Sequence, residues 1–294
     1  MRRSLSLGVT VLVLMSIAQP ARATFPGANG VIAIALDGIT LINPDGTDQH
    51  VIASKGGNPA WTADGNVVLF AYRGSIYSVN SDGSQLTKET RPPGQANDSE
   101  PAPLPAGGFD FQSNRGHGVC CDFDIWQKLP GQPARRLTKT SDQDNLPAVA
   151  PHGQRIAFFR HYLPGCDPCF PDSLMVMKAD GTMVKALVRD VSYASIDWSP
   201  DGSMVCFAAP INEFEEGIFL VNAVTKAVMR VGDLTSFEAG FTSCGFSPDG
   251  TRLLVVSASS DFCLLFTVDL DGTDIYYLPT TGDPFFGKAS WQPV

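Results

Sequence analysis

Beyond residue 28 the chain alternates short apolar runs with clusters of Gly, Pro, Asn and Asp, and no window carries a helical period. The stretch from residue 198 is representative: "WSPDG" (198–202), then "SMVCFAA", a polar loop "PINEFEEG", "IFLVNA", a short turn and "KAVMRV". Runs of this length, rich in Val, Ile, Phe and Met and bounded by turn residues, predict strands. A second tight turn joins the third and fourth runs, as in "NPDGTD" (43–48), "NSDGSQ" (80–85), "KADGTM" (178–183) and "DLDGTD" (269–274). Asp-Gly suits such hairpins because glycine takes a positive φ without steric cost.

The unit repeats. Its turn glycines fall at Gly65, Gly107, Gly153, Gly202 and Gly250, spaced 42, 46, 49 and 48 residues apart, and Trp291 opens a further copy. Four strands per copy and six copies predict an all-β fold, a six-bladed β-propeller of four-stranded antiparallel blades. The sixth copy stops after "SWQPV". Its missing turn is expected at Asn29-Gly30, so that "VIAIAL", "ITLINP" and "QHVIA" complete the last blade and both termini close it.

The first residues read as an export leader rather than as structure. Arg2 and Arg3 precede an apolar run from Leu5 to Ala18 that is too short for a membrane span, and Ala21-Arg22-Ala23 has the small-x-small form of a cleavage site. The expected division is therefore a signal peptide over 1–23 and a propeller over 24–294, in a periplasmic or secreted protein with no membrane span. The paired arginines faintly suggest the twin-arginine route, which Ser6 argues against. Removing the leader moves the formal charge from −9 to −12, against a nucleic-acid partner.

"WSPDG", the stretch "FDFQSNRG" running on to "DIW" (109–126) and the "ADGT" turns resemble the TolB-type propeller repeat, and "FPGANGVIAI" (25–34) is similar to the start of exported bacterial propellers of that group. The second and third copies depart from the pattern, since "LPAG" and "APHG" lack the Asp. The resemblance implies the fold. TolB proper carries an α/β domain ahead of its propeller and works with the lipoprotein Pal, whereas here the repeat begins within a few residues of the expected cleavage site.

In such a blade the two hairpin turns lie on one face, and the loop between second and third strands lies on the other with the interblade linkers. Those loops are short in the first, fifth and sixth blades and long in three consecutive ones: "NRGHGVCCDF", "HYLPGCDPCFPD" and "PINEFEEG". Function favours such loops. The linkers add acids and aromatics, including Asp98, Glu100, Asp142, Asp144 and Asp233. They read either as an ordinary solvated rim or as an acidic, aromatic-lined mouth for a basic segment, a cation or a sugar. The binding candidates are Tyr193, Glu215, Glu216, Phe237, Phe241, Asp283, Phe285 and Phe286.

Cys120-Cys121 and Cys166-x-x-Cys169 fall in equivalent loops of neighbouring blades, and two interloop disulfides are the expected state of an exported chain. A metal site with His117 and His161, or a redox site at "CDPC", are the rivals. Cys206, Cys244 and Cys263 read as buried thiols, with one further bridge among them as the alternative.

Catalytic motifs are lacking: there is no "GxSxG" elbow, no Walker loop, and no hydrolase domain after the repeats. The Asp-Gly turns have no distal Glu to complete a calcium loop. The expectation is a non-enzymatic binding module without a cofactor, whose partner is a protein or small ligand in the envelope or outside the cell. The alternative is a hydrolase or lyase acting on an envelope or extracellular polymer.

Overall fold

The computed structural model describes residues 24–116, 122–162, 172–189, 191, 195–211, 215–234, 240–258, 263–280 and 287–294. Its six four-stranded antiparallel sheets are the blades of a β-propeller. Blade 1 comprises Gly57–Trp61, Val67–Tyr72, Ser75–Asn80 and Thr87–Lys88, and blade 2 Asp98–Pro103, Phe109–Ser113, Asp124–Lys128 and Arg135–Arg136. Blade 3 comprises Gln143–Val149, Arg155–His161, Ser173–Lys178 and Lys185–Arg189; blade 4, Ile196–Trp198, Met204–Pro210, Glu216–Asn222 and Val228–Arg230; blade 5, Gly240–Phe246, Arg252–Ala258, Cys263–Asp269 and Tyr276–Tyr277. In blade 6, Ser290–Pro293 pairs with Asn29–Leu36, which is followed outward by Gly38–Ile42 and His50–Ala53. The inner strands touch in sequence around the ring.

The recurring turn holds neighbouring blades together. Ser199 Oγ donates to Asp201 Oδ1 at 2.6 Å and accepts the amide of Met204 at 2.9 Å, while the Gly202 amide closes the turn on Ser199 O at 2.8 Å. Gly202 has φ +68°, and a Cβ there would lie 3.3 Å from Pro151 Cδ of the preceding blade. The contact recurs: a Cβ on Gly153 would lie 2.9 Å from Pro105, and one on Gly250 would lie 3.5 Å from Pro200. In these three steps the proline of one turn therefore seats against the next blade's glycine. Blade 6 substitutes Asn29, which exchanges hydrogen bonds with Asp249 (2.8 and 3.1 Å).

The core lies between blades. Trp198 is fully buried among residues of blades 3 and 4, and its Nε1 donates to Ala148 O at 3.0 Å. Arg155 stacks over the ring at 4.6 Å. Trp61 and Phe246, which end their inner strands, and Trp291, within Ser290–Pro293, are also buried. Between blades 4 and 5, Cys206 and Cys244 are joined by a disulfide, with Cα atoms 6.3 Å apart and both residues fully buried. That corrects the buried-thiol reading of these two cysteines: adjacent-blade strands, distant in sequence, bring the sulfurs together.

Candidate functional site

The hairpin-turn face spends its polar groups on itself. Thr47 donates through N and Oγ1 to Asp45 Oδ1 (3.0 and 2.6 Å), and Thr182 to Asp180 and Thr273 to Asp271 do the same. These hydrogen bonds hold the carboxyls of Asp45, Asp180 and Asp271 below the ordinary range. Among the described residues no group of three or more His, Cys, Asp or Glu is placed to hold a metal ion.

The loop face is organised by buried ion pairs. Asp98 is wholly buried, takes a bidentate pair from Arg115 (Nε to Oδ1, 2.8 Å) and accepts Ser113 Oγ at 2.7 Å. Asp144, also wholly buried, is held by Arg160 through Nε and Nη2 at 2.7 and 2.8 Å, and burial outweighs the guanidinium in pushing its pKa up. Asp124 pairs with Nη2 of Arg136, whose Nε donates to Thr138 O at 2.8 Å. Asp98 and Asp144 are therefore not part of an acidic rim. Each is enclosed because a blade-mate arginine reaches back to it, and their negative charge is spent internally.

These pairs stand at the roots of the long loops of blades 2 and 3. Arg115 opens the first loop, and Arg160 is the penultimate residue of the strand that enters the second. In blade 4 the Ile211 amide donates to Glu215 O at 2.7 Å. Glu216 Oε2 then accepts the amide of Phe241, in blade 5, at 2.8 Å. Glu215 and Glu216 are exposed at this loop's exit. Phe241 is 4% exposed and packs in the core between blades 4 and 5, so its ring serves packing and is not presented to a ligand. Tyr193, Phe237, Asp283, Phe285 and Phe286, with Cys120, Cys121, Cys166, Cys169 and His117, lie outside the described residues. His161 Nδ1 lies 2.5 Å from Asp172 Oδ1, so the two flanks of the second cysteine loop touch.

A feature that the loop pattern did not reveal is the central channel. Next to each inner-strand aromatic position it is lined by Ala60, Ala102, Ala148, Asp197, Gly245 and Ser290, five small residues and one acid. Two residues earlier in three of these strands, Asn58, Glu100 and Leu146 have φ of +52°, +51° and +51°, each at a bulge and each followed by Pro-Ala. Those three x-Pro-Ala triplets were the available sequence clue. Glu100 bonds Asn58 of the neighbouring blade, and burial pushes its pKa up, as it does for Asp197.

Solved structures share this architecture. TolB from Acinetobacter baumannii superposes with a TM-score of 0.69 at 19% identity, over 90% of this chain and 67% of that one. The putative TolB from Agrobacterium tumefaciens gives 0.68 at 18% identity, over 90% and 99%. The fold is TolB-like. An oligogalacturonate lyase in complex with manganese also superposes, with a TM-score of 0.59 at 10% identity over 87% of this chain and 77% of that one. At such identities the likeness to TolB and to the lyase is one of fold. No protein-family model and no curated sequence matches the chain.

Proposed function

We propose that this TolB-like propeller is an exported, non-enzymatic binding module that takes a protein or small ligand of the cell envelope or extracellular space on its loop face. The observation that supports this most is the set of buried Asp–Arg pairs at the roots of the long loops. Burying ion pairs adds little net stability compared with apolar packing, and their better-attested use is to fix geometry. Here that geometry is the departure direction of the loops with the cysteine pairs, whereas the opposite face offers short turns with satisfied carboxyls. Glu215, Glu216, Tyr193, Phe237, Asp283, Phe285 and Phe286 are proposed to surround the contact, and Cys120, Cys121, Cys166 and Cys169 to cross-link its loops.

A second reading, an enzyme acting on an extracellular polymer, draws on the likeness to the lyase. The test is capture of a partner from envelope extract, then binding of the purified partner to loop-face and turn-face variants, beside a hydrolase and lyase screen on envelope glycans. Binding that depends on loop-face residues supports the module. Turnover of a glycan without a stable partner overturns it.

A further inference from the structure

The turn-face mouth of the channel already has an occupant. Thr24 and Phe25 enter it and are 8% and 6% exposed, beside Trp61, Phe246 and Trp291. Thr24 Oγ1 donates to Asp197 Oδ2 at 2.5 Å, the Thr24 amide donates to Trp198 O at 3.4 Å, and the same Asp197 oxygen accepts the Phe246 amide at 2.9 Å. The segment is moored where it leaves the mouth: Ala28 and Val294 exchange backbone hydrogen bonds of 2.7 and 3.1 Å. A side chain at Gly27 would collide with Val294 O, at 2.2 Å from the added Cβ. The space left beside the segment is about 50 Å³, room for only a few waters.

Among the described residues Asp197 and Lys288 line this space, and Lys288 also acts on the buried Glu100, so that one ammonium serves two carboxyls. We propose that removal of a leader after Ala23 creates the balancing charge, the α-ammonium of Thr24, and docks it on Asp197 inside the channel mouth. In the uncut chain the same nitrogen is a neutral amide and supplies no charge. Processing thus installs a plug, and a ligand for the channel has to approach from the loop face. The reaction is an ordinary peptide hydrolysis: water adds across the Ala23–Thr24 bond, giving the Ala23 carboxylate and the Thr24 amine, which takes up a proton.

The test uses the exported chain, its N-terminus established by intact mass, and a chain with Gly-Ser before Thr24, each made with and without Asp197→Asn. An amine-reactive ester at neutral pH reports on the N-terminal amine. The Thr24 amine is expected to acylate at least tenfold more slowly in the native protein than in the urea-unfolded one, and Asp197→Asn to remove most of that protection. The Gly-Ser extension should lower the thermal midpoint with Asp197 present and leave it nearly unchanged in the Asp197→Asn background. Acylation at the unfolded rate, an N-terminus other than Thr24, or an extension penalty equal in both backgrounds overturns the proposal. The first of these readouts needs no variant to fold.

Discussion

The carboxyl of Asp110 receives a hydrogen bond from Gln127 Nε2 at 2.9 Å, and its second oxygen, fully buried between blades, receives none. Gln127 is itself oriented by Arg135, whose Nε and Nη2 donate to its Oε1 at 3.1 and 2.6 Å.

Burial pushes the pKa of Asp110 from 3.8 to about 7, against the smaller opposing effects of Gln127 and Arg135. The folded state therefore holds a proton that the unfolded chain releases. The stabilisation is complete below pH 3.8 and is lost as pH rises through 7. Its size is on the order of a few kcal/mol. Urea midpoints should fall from pH 5 to pH 8 more steeply in the natural chain than in Asp110→Asn, and the variant should be the more resistant at pH 8. Parallel pH profiles would show that Asp110 titrates normally.

Removing one member of a buried ion pair strands the other charge. Asp98→Ala and Asp144→Ala should each cost about 3 kcal/mol or more in denaturant unfolding. Glu215→Ala, at the surface, should stay within about 0.5 kcal/mol. If all three behave alike, the Asp–Arg pairs do not anchor the loops.

The Cys206–Cys244 bridge closes a sequence separation of 38 residues, for which chain entropy suggests about 4 kcal/mol. Dithiothreitol should lower the unfolding midpoint of the natural chain further than that of the double variant Cys206→Ala/Cys244→Ala. Non-reducing peptide mapping should recover residues 206 and 244 in one linked species. The same map reads the pairing of Cys120 and Cys121 with Cys166 and Cys169. Recovery of the latter four as thiols removes the proposed cross-link of the loops.

Sidedness is tested by binding. Charged rim contacts chiefly set association rate and salt dependence, while desolvated aromatics carry affinity, about 2 kcal/mol or more for an anchor. Glu215→Lys should therefore weaken the salt dependence of partner binding, and Phe285→Ala/Phe286→Ala should shorten residence time. Leu86→Ala, at an exposed position near the turn face, should change neither. A partner that responds to Leu86 and not to the loop-face pair would move the site across the ring.

The architecture was legible because the turn chemistry is local and recurs: Ser199, Pro200, Asp201 and Gly202 carry their own hydrogen bonds and their own contact to the next blade. The misread residues depend on partners outside that local pattern. Asp98 and Asp144 look like surface acids until Arg115 and Arg160, 17 and 16 residues later, are seen to enclose them. That nearly constant spacing was the clue. Phe241 sits in a linker by sequence, yet Glu216 of the preceding blade draws its backbone inward. Nothing near Thr24 announces Asp197, since 173 residues separate the two.

The perimeter of the ring carries a different consequence. The outermost strands of blades 1, 2 and 5 are only two residues long, Thr87–Lys88, Arg135–Arg136 and Tyr276–Tyr277, and the first two are basic. A passing extended chain finds too few backbone donors and acceptors in register on these rims to lengthen the sheet, and a like strand from a second copy meets positive charge. These three rims should thus resist joining copies edge to edge. Recognition at these three rims is expected to run through side chains rather than by borrowing a strand.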